Sequence, residues 1–387
     1  MNRSLEALRG LAAIFVVAGH SRDLVYSSAH LELGSPFNKL LLLPTSFAME
    51  SVGLFFVLSG YLVGGQVLRE LRADRFSARV YFIKRFSRLW FVMLTGLALT
   101  VAADAMSRAM FTGAAFTAPN ELGGTMTDAV CNLALLQDGR CAAFGSDRSL
   151  WSLGYEFWFY VVFAAVAAFL YCLGRRAIRG AALAGAVAVG ALWVYGPHLL
   201  WLIPAWLLGV GIAELQRAWP GLGLWSPRWR ATVTIGFLVL CACGMLASNV
   251  LQPPRWEMFL LVGLAASPLV LVLSVWDPTP PAWFRSALDL AAWLGVWSFT
   301  LYVFHLPIVV LIGVSALNAG VPAGVASSYA LLFVATAACY PFYWLVEAHT
   351  ARIRGWLLDS TVPRSGRAAQ RSAIDTTEAT HGTVVPD

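Results

Sequence analysis

Long apolar runs, broken by short polar or basic stretches, dominate the chain. Runs long enough to cross a bilayer as helices fall at residues 5–26, 46–66, 86–107, 150–172, 178–196, 199–215, 231–248, 256–275, 292–315 and 323–346. The pattern predicts an all-α, polytopic integral membrane protein of about ten transmembrane helices, with 178–215 the least sharply divided stretch. The first run differs from the rest because it carries Glu6, Arg9 and His20. A charged residue in hydrocarbon costs several kcal/mol, so such residues face a protein interior or a watery cavity and serve function. At ~100° per residue, the eleven steps from Arg9 to His20 close three turns to within about 20°. Both side chains therefore share one face, about 16 Å apart along the axis.

Composition agrees with the membrane reading. The chain is 59% hydrophobic with 12% charged residues and 16 tryptophans, whereas a soluble domain carries about 25% charged residues. The net charge of +6 is a matter of topology. With the N-terminus in the cytoplasm, Arg3, the basic residues from Arg69 to Arg88, Arg175, Arg176, Arg179, Arg217, Arg228, Arg230, Arg285 and the tail arginines share one side. The other side keeps only Lys39, Arg108, Arg140, Arg148 and Arg255. The positive-inside rule then places both termini in the cytoplasm and removes the need for a nucleic-acid partner. The first segment shows no small-residue cleavage site and its ionisable residues interrupt the apolar stretch, so it is expected to be retained. A Cys131–Cys141 disulfide is expected if their loop faces an oxidising compartment. Cys172, Cys241, Cys243 and Cys339 lie in or beside helices with no histidine near in sequence, and no metal site is expected.

One membrane domain, residues 1–347, accounts for most of the chain, and a polar tail, 348–387, is expected to be cytoplasmic and disordered. The loop at about 108–149 is too long for a simple connection and is expected to cover an opening on its face. The stretch 67–88 is basic and amphipathic, and no internal repeat, P-loop or dinucleotide fingerprint is present.

Four strings could carry chemistry. In EALRGLAAIFVVAGH, Glu6 and Arg9 are an i,i+3 pair, and His20 is the best general base in the chain because imidazole titrates near neutrality. In YFIKRFSRLW, Arg85 and Arg88 stand beside Lys84 and suit the phosphates of a nucleotide-bearing donor, although anionic lipid would also account for them. In SLWSLGYEFWFY, Ser152 and Glu156 are one turn apart; the carboxylate either orients His20, binds an acceptor hydroxyl or sits in the interfacial aromatic belt. In WSFTLYVFHLPI, Ser298, Tyr302 and His305 share a face ahead of Pro307, which is expected to kink the helix, and form either a substrate-binding stripe or interhelical glue. Gly53, Ser59, Gly60, Gly64 and Gly65 suggest close helix packing rather than catalysis.

Together these strings resemble the membrane-bound acyltransferase family 3. The matching elements run in the family's order: Arg9 with ten residues to His20, FFVLSGY, Arg85 and Arg88, WSLGYEFWFY, PAWLLGVGIAE at 204–214, and Ser298 to Pro307. The resemblance implies an acyl-CoA donor, acetyl-CoA first among them, reached from the cytoplasm of a bacterial inner membrane. It also implies a hydroxyl acceptor, commonly on a cell-surface glycan. His20 would be the central catalytic residue, with Arg9, Arg85 and Arg88 engaging the donor. Three features depart from the family's pattern. Glu6 stands where Asp is common, no proline follows Arg88–Leu89, and an extracytoplasmic hydrolase-like domain, such as some relatives carry, is not expected.

On this reading His20, Glu156 and Arg9 are the catalytic set, and Ser152, Ser298, Tyr302 and His305 bind substrate. His20 either deprotonates the acceptor or carries the acyl group itself. The competing reading is a proton-coupled transporter using the same intramembrane charges, but it does not explain arginines gathered at one mouth.

Overall fold

The computed structural model of the protein describes residues 2–28, 32, 34–110, 124–221, 226–276 and 282–361. Among these residues the regular structure is helical. In the first half the helices are α1 (Arg3–Ser28), α2 (Pro36–Leu42), α3 (Ala48–Ser59), α4 (Gly65–Arg72), α5 (Ala78–Met110), α6 (Met126–Leu133), α7 (Trp151–Gly174) and α8 (Ile178–Tyr195). The second half adds α9 (Leu199–Ala218), α10 (Pro227–Leu251), α11 (Arg255–Val275), α12 (Ala282–Val296), α13 (Ser298–Asn318), α14 (Val325–Leu345) and α15 (Thr350–Thr361).

Among the described residues, nine helical stretches are long and apolar enough to cross a membrane. The tenth expected span is α1, whose 26 residues have the length but carry too much charge to meet the apolar standard. Its neighbours explain how that charge is tolerated. α1 packs along α12, α13, α3 and α14, burying Ala12, Ala13, Val16 and Val17, so its polar side chains meet protein rather than lipid. The α1–α12 contact is backbone to backbone. A Cβ on Gly10 would overlap the Ala291 carbonyl oxygen, and one on Gly295 would overlap that of Glu6.

The expected 46–66 span is α3 followed by a π-helical turn at Gly60–Gly64 and then α4. That wider turn lies against α9. α5 runs unbroken through Arg88–Phe91, as a string without proline allows.

The expected single helix at 292–315 is instead two, α12 and α13, separated at Trp297 (φ −113°, ψ 20°). A helix begun afresh must satisfy its first backbone N–H groups. Here the Glu347 carboxylate accepts from the Thr300 N–H at 2.9 Å and from Thr300 Oγ1 at 2.5 Å. Ser298 Oγ returns a bond to the Gly295 carbonyl at 2.9 Å.

Two further features concern the loops. Cys131 and Cys141 are bridged, with Cα atoms 6.5 Å apart; residues 111–123 of that loop lie outside the described residues. The segment expected as a tail begins with α15, which packs on α5 and buries Leu358, while residues 362–387 lie outside the described residues.

Candidate active site

A cavity enclosing about 830 Å³ of empty space, its open mouth included, enters the bundle between α1, α3, α5, α7 and α13. Arg9, Arg85 and Arg88 line it, with Ser152 and Glu156 from α7 and Ser298 and Tyr302 from α13. Apolar side chains, among them Phe55, Phe56, Leu62, Leu89 and Phe299, make up the rest of the wall.

The three arginines are held differently. Arg9 donates to Glu6 Oε2 at 3.3 Å, and both side chains are about 15% exposed or less. Glu156, Glu347 and Arg88 are its other charged neighbours. Arg85 donates to Gln66 Oε1 at 2.5 Å, and its guanidinium carbon lies 5.7 Å from the Tyr81 ring centre and 5.8 Å from that of Tyr160. Arg88 lies 5.9 Å from the Phe299 ring centre. Rings and an amide hold Arg85 and Arg88 without neutralising them, so their charge remains available to an anion entering the cavity.

Glu156 is the end of a directed chain of donors. The Trp206 Nε1–H donates to Ser59 Oγ at 3.2 Å, Ser59 Oγ lies 3.0 Å from Tyr160 Oη, and Tyr160 Oη donates to Glu156 Oε1. The phenol's one proton goes to the carboxylate, so Ser59 is the donor to Tyr160. A second chain lies opposite. Tyr302 Oη donates to the Ser149 carbonyl at 3.0 Å and sits 2.6 Å from Ser152 Oγ, which makes Ser152 the donor to the phenol.

His20 and His305 lie beyond the cavity lining. The Tyr302 and His305 ring centres are 6.0 Å apart, and those of His305 and His20 are 5.2 Å apart with the planes inclined at 35°. His305 is fully buried; His20 is only partly so and stands on α1 next to Gly19, which packs against Thr45 and Ala48. Arg22, one turn beyond Gly19, donates to Ser46 Oγ at 2.8 Å. From the cavity wall at Tyr302 the two histidine rings thus follow, set against each other. The carboxylate of Glu156, expected as a partner for His20, is engaged by Tyr160, and the ring beside His20 belongs to His305.

Sequence reasoning passed over four residues. Ser59 sits among packing glycines, Tyr160 in an aromatic run, and Asp147 in the loop before α7, so none of the three stands out in the sequence. Glu347, beyond the last apolar run, could have been found as a carboxylate one residue past a long hydrophobic helix.

A family model, described as an acyltransferase domain, matches residues 2–344. The chain belongs to acyltransferase family 3. It is therefore a multi-pass membrane acyltransferase of an O-acyltransferase family, and the transporter reading of its intramembrane charges gives way. No curated protein and no solved structure matches the acyltransferase.

Proposed function

We propose that this acyltransferase moves an acyl group, acetyl first, from cytoplasmic acyl-CoA to a hydroxyl of a cell-surface glycan, working in a bacterial inner membrane with both termini in the cytoplasm. The observation that carries the reading is a cavity with three arginines, Arg9 and Arg85 half-buried and Arg88 exposed, leading to Ser152 and Tyr302, with the two histidines beyond. Arg85 and Arg88 stand near the start of α5, and the bridged Cys131–Cys141 loop follows its other end. A disulfide belongs to an oxidising compartment, which supports a cytoplasmic mouth and an extracytoplasmic loop.

In this mechanism Arg9, Arg85 and Arg88 hold the phosphates of the donor at the mouth. The pantetheine arm follows the apolar wall, bringing the thioester towards Ser152 and Tyr302. The acceptor approaches from the side of His20. His20 takes the hydroxyl proton as the acceptor oxygen forms the new C–O bond, the C–S bond breaks, and the proton passes to the departing thiolate. An acyl-His20 intermediate would split the same transfer into two steps.

The test is thiol release from radiolabelled acetyl-CoA by the purified protein in lipid nanodiscs, with and without membrane glycans. His20→Ala is expected to lose at least about 100-fold in rate at unchanged folded yield. Turnover that survives in His20→Ala removes His20 from the chemistry. No turnover of any acyl-CoA, whatever its chain length, removes the donor assignment.

A further inference from the structure

His305 has one nitrogen fixed and one left over. Its Nδ1 lies 2.8 Å from the Tyr302 carbonyl and 3.1 Å from that of Leu301. Carbonyl oxygens only accept, so in the neutral ring Nδ1 carries the proton and Nε2 presents a lone pair. That Nε2 is buried and has no hydrogen-bonding partner. A buried acceptor without a donor is destabilising, and packing alone does not require it, since an apolar ring would fill the same space.

The group that can meet this lone pair is His20. Two imidazoles joined by an N–H···N bond of about 3 Å, with about 1.2 Å from each ring centre to its nitrogen, have centres at most about 5.4 Å apart, and less when the bond is bent. The His20 and His305 centres are 5.2 Å apart. The ring that turns to join them is the half-buried His20, because His305 is held by its two carbonyls. We infer that His305 is a positioning residue for His20: its Nε2 accepts an N–H from the His20 ring, so that the other His20 nitrogen faces the acceptor hydroxyl as a lone pair.

The assignment rests on the reading of His20 as the base, and it gives a neutral imidazole the orienting task that a carboxylate has in hydrolase triads. A neutral orienter suits this place. The other charged or titratable groups around the pair are Arg22 and Asp23 on α1 and Tyr302 on α13, which in turn faces Asp147 before α7 and Glu156 on α7. When His20 takes the acceptor's proton its two N–H groups point to the departing thiolate and to His305, and no ion pair has to be broken to release it.

Two substitutions separate this role from packing. In His305→Gln the amide N–H₂ can keep the carbonyl bonds while Oε1 accepts from His20; His305→Phe keeps the ring's bulk and offers no acceptor. The expected order is wild type, then Gln within about 10-fold, then Phe lower by about 100-fold in kcat at unchanged KM for acetyl-CoA. Phe is also expected to shift the acidic limb of the pH–rate profile. In the His20→Ala background neither substitution is expected to lower the residual rate further. A packing residue predicts the reverse order, with Phe tolerated at least as well as Gln.

A second readout needs no turnover. Nitrogen-15 NMR of histidine-labelled protein in nanodiscs, with His20→Ala and His305→Phe to assign signals, is expected to show one fixed His20 tautomer in wild type and a mixture in His305→Phe. An unchanged His20 tautomer in His305→Phe, or Phe equal to Gln in kcat, overturns the proposal while leaving the acyl-transfer reading intact. If wild type turns over no acyl-CoA but the tautomer responds to His305, the donor assignment falls and the positioning stands.

Discussion

At the scale of single residues, the chemistry of this bundle is set by where polar atoms are denied water. Asp147, just before α7, is fully buried; its Oδ1 accepts from Ser149 Oγ at 2.5 Å and its Oδ2 has no partner. Burial, with Asp104 nearby and only partly opposed by the Ser149 bond, pushes its pKa up to about 8. The folded protein therefore holds this proton more tightly than the unfolded chain, whose carboxyl titrates near about 3.9. Its contribution to stability is complete below that value and is lost as the pH rises through about 8. Wild-type melting temperature is expected to fall as pH rises from about 6 to about 9. Asp147→Asn, which cannot ionise, is expected to flatten that fall; parallel curves for the two proteins would contradict it. At this scale the sequence was partly legible. Arg9, Arg85, Arg88, Ser152 and Tyr302 stood out as polar residues in or beside apolar runs, and all line one cavity. Helical periodicity says which residues share a face but not which faces meet, so neither the Tyr160–Glu156 bond nor the His20–His305 contact could be read in advance.

At the scale of elements, close contacts between backbones fix the cavity wall. Gly209 on α9 meets the π turn so tightly that a Cβ there would overlap the Val57 carbonyl oxygen, and Gly60 is as tightly placed against the Trp206 carbonyl. Neither obstacle is a flexible side chain, so a larger residue must move a helix. Gly209→Ala is expected to cost about 1–3 kcal/mol, seen as a lower melting temperature. It should also raise KM for the donor, because Ser59 and Trp206, which support Tyr160, lie on the displaced surfaces. A variant that melts and binds as wild type does would remove the claim that this contact sets the wall. The order and approximate positions of the membrane helices were legible from apolar runs alone, though not their ends: α5 runs from Ala78 to Met110, well beyond the expected 86–107. The break at Trp297 was not, since the carboxylate that makes a helix start affordable at Ser298 arrives from Glu347, far along the chain.

For the whole molecule, the disulfide gives a check that is independent of catalysis. The Cys131–Cys141 bridge closes a loop spanning ten residues of sequence, and cross-links of this size stabilise by on the order of 2–4 kcal/mol. Reductant, or Cys131→Ser, is expected to lower the melting temperature by the same amount, and reductant should not lower the variant further. Protein taken from membranes with both thiols open to alkylation before reduction would contradict the bridge. The arrangement of helices also bears on how the chain is made. α1 leaves the ribosome about 250 residues before α12 and α13, the helices it packs along most. At roughly 5–20 residues per second, a helix carrying Glu6, Arg9 and His20 waits on the order of tens of seconds for the walls that will enclose it. Biogenesis must therefore pass through a long-lived intermediate with an unsheathed polar helix, and that interval is when an insertase or a membrane protease would find it.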